Sequence, residues 1–394
     1  MRILNYIFIL CVALLASGCD NGTISPEGDD DNVIVVPDGG PYIYLDAEVG
    51  NKTKGTLIEG KELQADFGAY GFTYDFTNRW TTYRATAKPN VFRDNEEKFV
   101  AVQKVTYNDG IYSYEPVQEW SGGKYTFFAY YPYYDDNDPN NKSVTASGKD
   151  VEGTPYVIYA PVDFLTSTAN HTDVMTAMFQ DTSLSSSQYV DFDFQHRLSA
   201  IEVVALNFYE YNHEDAGGDV TTEIIEIVIT DLNITFENLK YKEAKLYLDS
   251  SIPSENTSLD IDEEPTYDIV SSGSKSIAYS STSEFHRIDS DQTLLVIPQT
   301  EEDLAVTTTV SFKKKRPDGT YLNAVPDTDG TAYEEDDDNG WTYTTVKDSA
   351  FGQALKAGSR YYIQITFTSA AVSINILTSA EWEDLAEDVY HEFE

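Results

Sequence analysis

At 394 residues the chain is too long for one small core and has room for two domains, each with a sizeable apolar interior. A formal charge of −41 makes a surface that repels nucleic acid and anionic lipid, which argues against nucleic-acid partners. Tyr contributes 29 residues and Phe 19 against 3 Met, a vocabulary of pleated sheets, so the expected fold class is all-β.

The chain opens with Arg2, an apolar run from Ile3 to Leu15 broken only by Asn5, and then Ala16-Ser17-Gly18-Cys19. Such a run is shorter than the roughly 20 residues of a spanning helix and reads as an export signal, residues 1–18. Leu15 to Cys19 resembles the lipobox of bacterial lipoproteins, with Leu one place early and Ala16 at the usual Leu position. The resemblance implies a lipid on Cys19. Cys11 lies inside the signal, so Cys19 is the only cysteine expected in the mature chain, and no internal disulfide can form. Residues 19–40, with Asp29-Asp30-Asp31, read as a flexible acidic tether.

Strands are predicted at Tyr42 to Val49, Leu63 to Phe76, Arg79 to Ala87, Phe99 to Tyr107 and Ile111 to Pro116. A Gly122-Gly123 turn then feeds Lys124 to Tyr133, a strand with aromatic residues on both faces. It must be covered on both sides or be a contact surface. Core packing is the preferred reading; the alternative is a strip on which Trp120, Tyr131 and Tyr133 stack against sugar rings. Ser183 to Ser187 reads as a connection, which divides the globular part into an N-terminal domain, 41–183, and a C-terminal domain, 184–394.

Beyond it, Tyr189 to Leu206 places Val190, Phe192, Phe194, His196 and Leu198 on one side of a period-two pattern. At Ala200 and Ile201 the phase slips, which calls for a bulge or a second strand. Thr222 to Phe236 gives one long strand signal, and further strands are expected at Ala244 to Leu248, Leu294 to Gln299, Ala305 to Lys313, Arg360 to Ser369 and Val372 to Leu377. Lys313 to Arg316 reads as a charged hairpin tip, and Trp382 lies in an acidic tail. About 15 strands at such spacings fit two antiparallel sandwiches.

A catalytic reading finds little support. The chain has no G-x-S-x-G, H-E-x-x-H, C-x-x-C, P-loop or dinucleotide motif, and no cofactor or metal is implied. His171, His213, His286 and His391 read as polar-context residues; His196 alone falls on an apolar face, as a packed core histidine. Asp191 and Asp193 share one strand face at a glycosidase-like spacing of about 6.6–6.8 Å. Among 67 acidic residues such a pair is unavoidable, and it is not taken as catalytic.

Several segments together resemble the fimbrillin-like proteins of Bacteroidales, subunits and accessory proteins of type V pili. They are Ala16 to Cys19, Gly123 to Pro132, Asp173-Val174-Met175-Thr176-Ala177, Phe194-Gln195-His196-Arg197-Leu198, Leu295-Val296-Ile297-Pro298-Gln299 and Gly358-Ser359-Arg360-Tyr361-Tyr362. The resemblance implies two transthyretin-like β-sandwich domains in a lipid-anchored outer-membrane protein of the cell surface, or in the fimbrium after processing. Its partners would be other subunits, joined by strand addition at a sheet edge, the outer membrane through Cys19, and surface glycans or proteins in adhesion. The displaced strand would be Tyr42 to Val49. Major fimbrillins are cut after an arginine here, yet this chain has none between Cys19 and Arg79; Lys52 and Lys54 are the basic substitutes. Asp348-Ser349-Ala350 resembles the short O-glycosylation acceptor of these bacteria, with Ser349 as the acceptor residue.

Overall fold

The computed structural model describes residues 42–49, 63–84, 102–120, 122–135, 143–164, 166, 171–183, 189–214, 217–259, 263–270, 273–280, 285–288, 293–300, 303–323, 332–334 and 340–379. Up to Arg197 the strands are β1 (Tyr44–Val49), β2 (Phe67–Tyr74), β3 (Gln103–Asn108), β4 (Ile111–Ser113), β5 (Lys124–Tyr131), β6 (Val144–Lys149), β7 (Pro155–Tyr159), β8 (Met175–Thr182) and β9 (Tyr189–His196). There follow β10 (Ser199–Phe208), β11 (Glu210–Glu214), β12 (Val220–Ile224), β13 (Glu226–Glu237), β14 (Tyr241–Tyr247), β15 (Glu255–Ser258), β16 (Thr266–Val270) and β17 (Lys275–Ile277). The last are β18 (His286–Arg287), β19 (Leu294–Val296), β20 (Ala305–Lys315), β21 (Ala332–Glu334), β22 (Thr342–Ala350), β23 (Arg360–Thr368) and β24 (Val372–Ser379). The fold is all-β. Among the described residues no helix is long and apolar enough to cross a membrane.

Seven strands form one sheet in the order β1-β9-β8-β5-β2-β3-β4. Its two ends are drawn together by the segment after β4, where Tyr42 bridges Glu119 and the Ile43 N–H donates to Gln118 O at 2.9 Å. The sheet therefore encloses an interior of its own, in which Phe67, Tyr125, Phe127, Met175, Phe192 and Phe194 meet. Its other face packs on a four-stranded sheet, β15-β14-β7-β6, through Phe72, Phe128 and Tyr130 against Val157, Tyr159 and Leu246. That explains the aromatic residues on both sides of β5: Tyr125, Phe127 and Ala129 fill one core, Phe128 and Tyr130 the other.

The rest is a sandwich. One sheet has the order β18-β10-β23-β24 with β19 also on β10; the other has β16-β13-β20-β22-β21 with β17 also on β13. Ile201, Val203, Ile363 and Ile365 of the first pack against Ile227, Ile234, Val310 and Phe312 of the second.

The phase slip at Ala200 is a change of sheet. β9 ends at His196 in the seven-stranded sheet, paired to β1 and β8, and β10 begins at Ser199 in the sandwich, paired to β23 and β19. Sheet membership also crosses the sequence in the other direction, since β14, well past residue 184, pairs with β7.

Three local expectations are corrected. Arg79 to Ala87 does not form a strand over its described part: Trp80–Tyr83 is a helical turn, because the buried Trp80 is held by its indole N–H to Asp249 Oδ2 at 3.2 Å and its backbone N–H to Asp181 Oδ1 at 3.1 Å. The Thr222 to Phe236 run divides at Ile225, whose N–H donates to Tyr209 O at 3.1 Å, so that β12 pairs only with β11 while β13 joins β20. Of Lys313 to Arg316, the three lysines are the end of β20 rather than a hairpin tip, while Arg316 opens the turn as expected, its N–H donating to Thr320 O at 2.7 Å and its carbonyl accepting from the Gly319 N–H at 3.0 Å. Alternation turns Lys314 inward, where its Nζ lies 4.0 Å from the Tyr343 ring centroid and donates to Tyr209 Oη at 3.0 Å.

Candidate functional site

β1 is an edge strand, and its partner β9 runs parallel to it, from Tyr44 beside Tyr189 to Val49 beside Phe194. The local sequence Tyr42-Ile43-Tyr44-Leu45-Asp46-Ala47 alternates, and the structure obeys it: Ile43, Leu45 and Ala47 are buried while Asp46 is exposed. Those three side chains plug the interior of the seven-stranded sheet. Full burial of the Ile and Leu side chains stabilises the strand's seating by about 3–6 kcal/mol.

At its start β1 is held from the other flank, where Tyr114 Oη donates to Ile43 O at 2.7 Å. Burial pushes the Tyr114 phenol up to about 12, so it remains a donor at any physiological pH. Outside, the Tyr44 ring stacks on Tyr189 with centroids 5.2 Å apart. The arrangement is a short strand in an apolar groove, hydrogen-bonded through its backbone and keyed by alternate side chains.

A second constellation lies where β9 gives way to β10. His196 Nδ1 is 2.6 Å from Asp173 Oδ2, and both side chains are buried. Arg197, the next residue and so on the face opposite His196, is half-buried, and its Nη1 donates to Thr176 Oγ1 at 3.0 Å and to Tyr247 O at 3.1 Å, tying β8 to β14. Burial lowers its proton affinity, yet a guanidinium keeps its charge. The Gly358 N–H donates to Leu198 O at 2.8 Å and the Ala200 N–H to Ser359 O at 3.0 Å, while Ala200 pairs with Leu295 across β19. Four of the sequence segments singled out above thus converge on one crossing between sheets. The site joins and holds; a proton-transfer role would need an approach from solvent, and the pair is enclosed.

His171, read as a polar-loop residue, is buried as well. Its Nδ1 accepts from the Leu295 N–H at 3.1 Å and its ring stacks on Phe164 with centroids 5.4 Å apart. Desolvation pulls it down to about 4 from 6.5, with a weaker opposing contribution from the Phe164 backbone. The unfolded chain therefore binds the extra proton first. Stability is lost as pH falls from 6.5 through 4, by an amount approaching about 3 kcal/mol. Urea unfolding at pH 7 and pH 4.5 is expected to show this loss in the wild-type chain, and a shallower pH dependence in His171→Asn, which keeps an acceptor for Leu295.

The other residues marked in the sequence are dispersed. Trp120 lies inside the seven-stranded sheet, in edge contact with Tyr125 at 5.0 Å. Half-buried Tyr131 packs on that same interior and Tyr133 on the core at the sheet's other face, so the three rings do not share a surface. Trp120→Ala is expected to cost about 3–5 kcal/mol in urea unfolding, the penalty of an emptied aromatic core position. Ser349 is half-buried in β22, with its hydroxyl donating to Ile374 O at 3.2 Å. Asp191 and Asp193 are exposed on the outer face of β9. Cys19, Lys52 and Lys54 lie outside the described residues.

The chain is thus all-β, with β1 at a sheet edge and a tied crossing between sheets. The fimbrillin-like family profile matches residues 76–382, and the chain belongs to that family. In fold it is similar to a fimbrial protein from Bacteroides vulgatus, at 18% identity and a TM-score of 0.56, covering 87% of this chain and 99% of that one. Weaker likenesses are to a candidate cell adhesion protein from Bacteroides ovatus (15% identity, TM-score 0.44, 86% and 96% covered) and to the tip fimbrial protein Mfa3 from Porphyromonas gingivalis (10%, 0.32, 86% and 99%). No curated protein matches the chain.

Proposed function

We propose that the protein is a lipid-anchored fimbrillin-type subunit of the cell surface, which joins a neighbouring subunit by exchange of β1 for an incoming strand and so contributes to adhesion. The observation that carries this reading is the seating of β1. It is a six-residue edge strand that, with Ile43 just before it, turns three side chains inward, bonded to β9 on one flank and to the 114–119 segment on the other, and loss of such a strand leaves an apolar groove lined with unpaired backbone groups. Family membership and the export-signal pattern ending at Cys19 support the same assignment.

Two fates are open to such a subunit, and the basic residues separate them. Cleavage at Lys52 or Lys54 would release β1 and free the groove; an intact chain acylated at Cys19 would stay at the base of an assembly. Mass spectrometry of the mature surface protein's N-terminus is the test. A terminus following Lys52 or Lys54, together with heat-sensitive ladders on a denaturing gel, is expected of a polymerising subunit. Acylated Cys19 with no ladder under any condition would overturn strand exchange.

A further inference from the structure

The four-stranded sheet β15-β14-β7-β6 ends in two neighbouring turns, Asp150 to Gly153 and Asp249 to Pro253, and the Leu248 N–H donates to Pro155 O at 2.9 Å between them. The helical turn that starts at Trp80 meets both. Its indole is held by Asp249, and Gly153, at a φ of +84°, lies so close to Arg84 O that a Cβ there would come within 2.9 Å. Asp150 Oδ1 accepts from the Glu152 and Thr154 N–H groups at 2.9 and 2.8 Å, and Asp249 Oδ1 from the Ser251 N–H at 3.0 Å. These bonds fix the turns in advance of any ligand. Between the three turns lies a cleft of about 890 Å³, within the size range of small-molecule sites.

One wall of the cleft is aromatic. Val157 and Tyr159 of β7 point into the core, so Tyr156 lies on the other face of the sheet. Its phenol end crosses Gly148 of β6, where a Cβ would meet Oη at 3.1 Å and Cζ at 3.2 Å. The ring can lie low because that position is bare. Tyr247 meets it edge-on at 6.4 Å, with its Oη donating to Glu255 Oε1 at 2.5 Å and accepting from Lys245 Nζ at 2.8 Å. Fully exposed Val151, with Ile252 and Pro253 across from it in the other turn, gives the cleft an apolar rim.

The lining is also unusual in charge. Three cations, Arg84, Lys149 and Lys245, stand against three carboxylates, in a chain where acids outnumber bases 67 to 26. Asp150 is committed to its own turn, and Glu255 to Tyr247 and Lys245. Glu152 Oε2 lies 3.6 Å from Arg84 Nη2, too far for a hydrogen bond and in solvent contact, so this pair is worth little. A ligand carboxylate can replace it with two parallel bonds to the guanidinium. At 0.15 M salt the Debye length is about 8 Å, so such a group responds to the cations beside it rather than to the net charge of the chain.

We propose that this cleft binds an acidic saccharide, a pyranose unit bearing a carboxylate, with Tyr156 against the sugar face and Arg84 on the acid group. The C–H bonds of a pyranose face are attracted to the negative face of an aromatic ring, and the mixed donors and acceptors of the lining suit its hydroxyl groups. As a ligand for adhesion it rests on the reading given above. None of the cleft's lining residues belongs to β1 or to the interior that β1 plugs, so the two results are separable: ladder formation reports strand exchange, and ligand binding reports the cleft.

The test is saturation-transfer NMR on the full chain with three probes: a galacturonic acid trimer, the neutral galactose trimer and a glutamate trimer. Binding of the galacturonic acid trimer is expected, with the other two weaker by about tenfold or more. Arg84→Gln and Tyr156→Ala should each weaken it by about tenfold or more, and Gly148→Ala, which lifts the ring while leaving every lining group in place, should weaken it as well. Lys275→Gln, on β17, should bind as the wild type does. Urea unfolding identifies any variant that has lost its fold rather than its cleft, and Arg84, at the rim, is the one expected to keep the wild-type midpoint. Binding of no probe by the wild type would overturn the proposal. So would equal binding of the neutral or the glutamate trimer, or unchanged binding in a folded Arg84→Gln.

Discussion

Leu45→Asp is expected to unseat β1 in the full chain. Leu45 is buried between the flanking inward residues Ile43 and Ala47, and its replacement loses about 1.5–3 kcal/mol of apolar burial and puts a carboxylate into the same pocket. The combined effect, on the order of 4–6 kcal/mol, is comparable to what the strand's remaining Ile43 contact and backbone bonds hold. Hydrogen exchange should then show β9 amides from Tyr189 to Phe194 losing protection on the β1 side, with the β20 and β23 amides of the sandwich unaffected. Asp46→Asn, on the exposed side of the same strand, should stay within about 0.5 kcal/mol of wild type. Unchanged β9 protection in Leu45→Asp would mean that β1 is not the plug of this core.

The alternation that puts Leu45 inward is visible in the sequence, as is that of β9, whose buried residues Val190, Phe192, Phe194 and His196 are those of the period-two reading. Local pattern reports which way a side chain points. It does not report which strand lies alongside. The parallel neighbour of β1 follows about 140 residues later, and β14 returns to pair with β7 from beyond the sandwich's first strands; both pairings are set by how whole layers stack. At Lys314 composition and period disagree: the charge of the run points outward, the alternation of β20 inward. Val306, Thr308, Val310 and Phe312 already placed it on an inward face, and the rings of Tyr209 and Tyr343 that make a lysine tolerable there come from distant strands.

The groove at β1 was legible as a strand, and its edge position followed only from the assembled sheet. His171 was not legible at all, because its loop is polar in sequence and its burial comes from Phe164, Tyr267 and the Leu295 backbone folding over it. Trp120 is a similar case. Its neighbours Glu119 and Ser121 are polar, and only closure of the sheet between β1 and the 114–119 segment encloses the indole.

The crossing between sheets carries the second large expectation. His196→Ala should lower stability by about 3–5 kcal/mol, because it leaves the fully buried Asp173 carboxylate without the partner at 2.6 Å. The effect belongs to the seven-stranded sheet, since β9 pairs with β8 there, Met175 lying opposite His196. Asp173→Asn removes the charge but keeps a group able to bond the imidazole, and it should cost less. Combining Asp173→Asn with His196→Ala should then cost clearly less than the sum of the two, because the stranded charge that dominates the single His196 variant is gone. The measurement is urea unfolding of the three variants at pH 7, with hydrogen exchange to locate the loss. Additive costs would show that His196 and Asp173 act as two separate packing residues. A wild-type melting temperature in His196→Ala would remove the pair from any part in holding the crossing, leaving Arg197 and its bonds to Thr176 and Tyr247 as the tie between the sheets.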